Sequence, residues 1–206
     1  MNEITTPYHH GDLRNTAIIA AAELIDQSGN YEISIANVAK RAGVSSAALY
    51  RHFEDKEALL TAVRELALIG LMQRLEAIAA QHEQGTQLLI EELGICYLQF
   101  AEDKRSFFGL LWEDRGNMEQ RRLEAQAKRT GFEVLIKAAE SYLCAHKPDN
   151  DVSPVRLATQ LWSIAHGIAT LEHNRMLDIF DETINAEQLL RDGTQAFLRN
   201  TLDSSS

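Results

Sequence analysis

The sequence predicts an all-helical fold on three observations. Only three prolines occur, at Pro7, Pro148 and Pro154; β-branched alternation is nearly absent; and apolar residues recur at spacings of three and four almost throughout. Caps and breakers then divide the chain. Ser28-Gly29-Asn30 ends a first helix that starts near Arg14, Ser34 caps a second, Gly43 separates it from a third, and Glu54-Asp55 opens a fourth. Longer helices are expected over Lys56 to His82, Gln87 to Asp103, Asn117 to His146, Ser153 to Met176 and Asn185 to Leu202. A short aromatic helix at Phe107 to Trp112 interrupts them. The expected plan is a three-helix module in residues 1–55 and a larger helical domain in residues 56–206, ending in a polar, frayed tail from Thr201 to Ser206.

Hydrophobic residues at 45% and charged residues at 24% suit a chain that buries a core in water, which excludes wholesale disorder and collagen-like structure. No apolar run approaches the roughly 18 residues of a membrane span. The N-terminus carries Glu3, His9, His10 and Asp12 rather than a basic and then apolar leader, so a cytoplasmic location is expected. Cys96 and Cys144 are far apart and are expected to be reduced core thiols, with no cofactor and no metal implied. An enzyme would need a nucleophile elbow, a metal-ligand set or a phosphate loop. None of G-x-S-x-G, H-E-x-x-H or G-x-x-x-x-G-K-[ST] occurs.

The chemistry concentrates around Gly43. In the second helix Ile35, Val38, Ala39 and Ala42 fall on one stripe, and Ala39 admits close approach of another helix. After Val44 and the capping Ser45, Leu49 and Phe53 point inward, leaving Ser46, Ala47, Tyr50 and Arg51 on the opposite face. Two short helices joined by such a turn make a helix-turn-helix, whose second helix fits the major groove of B-DNA.

The charge balance opposes this reading in bulk. The chain carries a formal −10, and residues 1–60 hold five Lys or Arg against eight Asp or Glu, a formal −3. Placement supports it, because Lys40, Arg41, Arg51, His52 and Lys56 cluster within 17 residues around the turn and the presumed recognition helix. Lys56 sits in a helix first turn, where the macrodipole disfavours a cation; a phosphate bound there would reverse that penalty. The short residues Ser45, Ser46, Ala47 and Ala48 predict readout by close backbone approach, by Ser hydroxyls and by alanine contact with thymine methyls.

Residues from about Leu13 to Leu60 closely resemble the DNA-binding domain of TetR-family transcriptional regulators. The resemblance lies in Arg14, Ala20 to Leu24, Ser34, Val38 to Ser45, Leu49-Tyr50-Arg51-His52-Phe53 and Lys56 to Leu60. The lead-in Tyr8 to Arg14, with Trp162, His166 and Gly167, is similar to a subfamily named for a Trp, His, Gly signature. The resemblance implies a homodimeric bacterial repressor that a small effector releases from operator DNA. It also implies DNA contacts at Ser34, Ser45, Ser46, Ala47, Tyr50, His52 and Lys56. Asn37 stands where an acidic residue is more usual, which gives a poorer cap. Two alternatives stay open: a helical protein-interaction module without DNA binding, and a small helical enzyme.

In the later helices, Ala158, Leu161, Trp162, Ala165, Ile168 and Ala169 join Leu157, Ile164 and Leu171 to cover well over half of one helix circumference. That surplus predicts burial on two sides, one against a partner chain. Leu161, Trp162, Ala165, His166, Ile168 and Ala169, with Leu189, Leu190 and Phe197 of the last helix, are therefore the expected dimer interface. A dimer would read paired half-sites roughly 34 Å apart. Met72, Tyr97, Phe100, Phe107, Phe108, Trp112 and Met118 are the expected lining of an apolar or aromatic effector pocket.

Overall fold

The computed structural model describes residues 13–112, 118–148 and 151–203, with the backbone alone at 118–131 and 203. It contains ten helices and no strand among the described residues: α1 Leu13–Ser28, α2 Ile35–Arg41, α3 Ser46–Leu49, α4 Lys56–Gln81, α5 Gln87–Asp103, α6 Arg105–Trp112, α7 Met118–His146, α8 Pro154–His173, α9 Met176–Phe180 and α10 Ala186–Asp203. The chain divides into two compact units between Ala67 and Leu68, within α4.

In the first unit the caps form as expected. The Ser34 hydroxyl oxygen accepts from the Asn37 amide at 3.2 Å, and that of Ser45 accepts from the Ala48 amide at 3.2 Å. Each such cap contributes about 1 kcal/mol. Between α2 and α3 the backbone turns through Gly43, whose φ of +72° lies in the left-handed region that glycine enters without steric cost. The Val44 amide closes the turn on the Ala39 carbonyl at 2.9 Å. Ala21 and Ile25 of α1, Val38 of α2, Leu49 of α3 and Phe53 beyond it are buried, and Leu59, Leu60 and Val63 of α4 are fully buried. The Arg14 guanidinium lies over the Phe53 ring, 5.6 Å from its centroid.

The second unit is built around α8, which packs against α5, α7, α9 and α10. Leu89, Ile90 and Leu93 meet Ala138, Ala139, Tyr142 and Leu143 of α7 and Leu157, Ala158 and Leu161 of α8, with Leu198 of α10 completing the core. A Cβ at Gly94 would stand 2.8 Å from Leu190 Cδ2, so an alanine there would require the Leu190 side chain of α10 to shift. Across the same pair of helices, Arg191 donates to Glu91 at 3.0 Å and to Glu92 at 2.8 Å.

Four expectations are corrected. α8 ends at His173 rather than Met176, because Arg175 takes a left-handed φ of +56° and α9 starts after it. α6 begins at Arg105, two residues before Phe107. Thr201 and Leu202 are not frayed, since α10 runs to Asp203 and Lys147 Nζ donates to both of their carbonyls at 3.2 and 3.0 Å. Cys96 is buried, but Cys144 is exposed, one position beyond the inward-facing Tyr142 and Leu143.

Candidate nucleic-acid interface and ligand cavity

The face of α3 opposite the core is open. Leu49 and Phe53 are buried at 0% and 2% exposure, whereas Ala47, Arg51 and His52 are exposed and Tyr50 stands 57% exposed. Ser46 is half-buried. Ser34 and Ser45 lie exposed at the starts of α2 and α3, each accepting an amide through its oxygen and keeping its hydroxyl hydrogen for another partner.

The cations are not equivalent. Lys40 is exposed in the last turn of α2, where the helix dipole favours it. Arg41 is held within the unit: it contacts Glu23 at 2.7 Å and donates to the Gln27 side-chain oxygen at 3.1 Å. Lys56 is half-buried at the start of α4, where the Asp55 carboxylate accepts from the Ala58 amide at 2.8 Å. The lead-in from Tyr8 to Asp12 lies outside the described residues.

The second unit contains a cavity of about 300 Å³. Of the expected lining, Met72, Tyr97 and Trp112 reach it. Phe100 does not: it is buried beneath the Arg74 guanidinium, 5.9 Å from its ring centroid. Phe108 is buried against Tyr97, His166 and His173, and Phe107 is half-buried away from the cavity. The Met118 side chain lies outside the described residues. The rest of the wall is mainly aliphatic, from Leu68, Leu71, Leu75, Ile90, Leu93 and Leu135, with the aromatic Phe132. Inward helical spacing marks those positions as core; no sequence signal separates wall from filled core.

Four residues assigned to a dimer interface line this cavity instead: Leu161, Trp162, Ala165 and Leu190. Ile168 and Ala169 are buried at 7% and 1% in the single chain, so they belong to the protomer's own core. The reason is the central place of α8, whose apolar circumference is used by four helices of its own chain. Leu189 is 41% exposed, and Phe197 packs half-buried against the core. Gly167 faces outward, and a Cβ there would meet nothing within 4 Å, so it serves no close approach within the chain.

His166 anchors an aromatic cluster beside the cavity. Its Nδ1 lies 2.8 Å from the Tyr97 hydroxyl, and its ring stacks on Trp162 at 5.0 Å and 24°. Burial pushes the Tyr97 phenol up well beyond its ordinary range. Two turns on, His173 packs on Phe108 at 5.3 Å, with Nδ1 buried and making no hydrogen bond among the described residues. Burial, and then the nearby Arg105 guanidinium, push its pKa below 6.5. A histidine held neutral by the fold adds stability above its unfolded value, and that stability is lost as the pH falls below 6.5. His173→Gln should therefore narrow the drop in Tm between neutral and mildly acidic buffer; an unchanged drop would show that His173 contributes nothing to it.

Comparison with known proteins follows the two units. The family model described as bacterial regulatory proteins, tetR family, matches residues 18–63, and the model described as tetracyclin repressor-like, C-terminal domain, matches residues 90–196. A nucleoid occlusion factor SlmA of Marinomonas sp. (strain MWYL1) is 33% identical over 115 residues, 56% of this chain. The chain spans only 58% of that relative's length. The SlmA of Yersinia pseudotuberculosis serotype O:1b (strain IP 31758) is 31% identical over 160 residues, 75% of this chain and 80% of that protein. Among solved structures, a protein with unknown function from Rhodococcus sp. RHA1 matches with a TM-score of 0.76 and 26% identity, over 95% of this chain and 98% of that one.

Proposed function

Because the chain belongs to the tetR family of bacterial regulatory proteins, we propose that it is a sequence-specific DNA-binding transcriptional regulator: a homodimeric repressor that leaves a palindromic operator when a small apolar or aromatic effector occupies the cavity. The observation that carries this reading is the two-faced α3, with Leu49 in the core and Ala47, Tyr50, Arg51 and His52 outside. Ser34, Ser45, Ser46, Lys40 and Lys56 flank that face and supply hydroxyl and ammonium groups for phosphates. Arg41, tied to Glu23, would contribute only by breaking that pair.

The dimer surface is reassigned to residues that the single chain leaves open. On α8 these are Val155, Thr159, Ser163, Gly167 and Leu171, spaced by four along one exposed stripe. On the neighbouring α10 they are Leu189 and Ala196. A seam of small and aliphatic residues on two packed helices lets a second copy approach closely.

Iterative selection from random duplex DNA tests the main reading. The expected product is a palindrome bound with a slope of log K against log salt near −7, the value for about eight phosphate contacts per dimer. Failure to enrich any sequence at low salt would overturn it. The SlmA relatives are named nucleoid occlusion factors, which supports a second reading as a DNA-bound factor in nucleoid occlusion. Mapping occupied chromosomal sites separates the two: sites at promoters support regulation, and sites placed without regard to promoters support the second reading.

A further inference from the structure

Among the described residues, none of the 17 that line the cavity carries a charged side chain. An ion leaving water for this space would meet no counter-charge among them, which disfavours carboxylates, phosphates and ammonium groups alike. The volume of about 300 Å³ lies at the low end of small-molecule sites, roughly 300–1,000 Å³. At one end the wall is aromatic: Trp112 and Trp162 stand 5.4 Å apart, and Phe132 meets Trp162 edge-on at 6.0 Å.

The polar groups in the wall are few, and two hydroxyls are already paired. The Thr159 hydroxyl donates to the Val155 carbonyl at 2.7 Å, and the Tyr97 hydroxyl pairs with His166 at 2.8 Å. Thr194 differs. It is only 3% exposed and lines the cavity, yet its hydroxyl makes no hydrogen bond among the described residues. A cavity-lining hydroxyl without a protein partner is stabilised by a ligand that supplies the missing bond.

We propose that the cavity selects an uncharged aromatic ligand carrying a single hydrogen-bonding group, which pairs with the Thr194 hydroxyl. This rests on reading the cavity as the effector site.

Trp112 and Trp162 are the chain's only tryptophans, and both line the cavity, so indole emission reports occupancy directly. The test titrates the full chain with para-biphenylmethanol, para-biphenylcarboxylate and para-biphenylmethylammonium, which share one shape and differ in head-group charge. The expected result is a shift in indole emission with the alcohol bound about tenfold more tightly than either ion. Thr194→Val, which keeps the side-chain shape, should weaken the alcohol about tenfold and leave para-methylbiphenyl unchanged; Thr194→Ser should keep the preference. Equal or tighter binding of either ion, or no emission change with any probe, overturns the ligand class. Unweakened alcohol binding by Thr194→Val overturns the role of Thr194. Binding of the alcohol with no change in affinity for the selected duplex supports the ligand class and overturns the effector reading.

Discussion

Phe53→Ala is expected to destabilise the first unit by about 3–4 kcal/mol and to abolish specific DNA binding. Phe53 is 2% exposed, and the Arg14 guanidinium covers its ring, so truncation leaves a hole that its neighbours cannot close without moving α1. A unit of this size holds only a few kcal/mol in total, on the order of 0.05–0.15 kcal/mol per residue. The loss also reaches α3, which spans four residues and has no stability of its own. Amide exchange checks the prediction: protection of the Ile25, Val38 and Leu49 amides should fall by about two to three orders of magnitude. Phe53→Leu, which retains most of the volume, should cost less than about 1.5 kcal/mol and keep DNA affinity. Full protection in the alanine variant would show that the ring is not the keystone of this core.

Arg191→Leu is expected to cost the second unit about 2–3 kcal/mol, read from urea unfolding followed by indole emission. The Glu91 side chain is 12% exposed, and it would lose its cation while keeping only the Gln87 amide, which donates to it at 2.6 Å. Glu92, at 24% exposure, would lose the same partner. The figure sits below the usual range for breaking a fully buried pair because Arg191 itself is 34% exposed. Adding Glu91→Gln, which keeps an acceptor for Gln87, should restore part of the loss. A loss that Glu91→Gln leaves unrestored would place the effect in lost packing of the arginine stem instead.

Helix positions were largely legible because caps and periodicity are local. Ser34, Ser45 and Gly43 signal a turn through their own chemistry, and the structure places them in those roles. α9 escaped because only Leu177 of its five residues is buried and because Arg175, not glycine, makes the break before it. The dimer assignment was only partly legible for a different reason. An apolar circumference tells how much of a helix is covered, not which chain covers it, and the apolar side of α8 is covered by its own protomer. The cavity was half legible for a related reason. Aromatic residues draw the eye, but a void is left wherever five or more helices fail to meet, and Leu71, Leu93 and Leu135 carry no mark of that in their spacing. Thr194 was invisible for the same reason, since a lone threonine in a helix reads as surface until its neighbours are known.

If α3 reads DNA as proposed, the tie between Arg41 and Glu23 bears on how the molecule competes for its target in a cell. It removes one cation from a face that has few, on a chain whose formal charge is −10. A chromosome offers millions of non-cognate sites, all of them polyanionic, and a strongly basic regulator spends most of its copies on them. On the proposed reading, an acidic one is repelled from bulk DNA except where α3 fits the groove, and its discrimination resides in the ratio of cognate to non-cognate affinity rather than in tight binding as such.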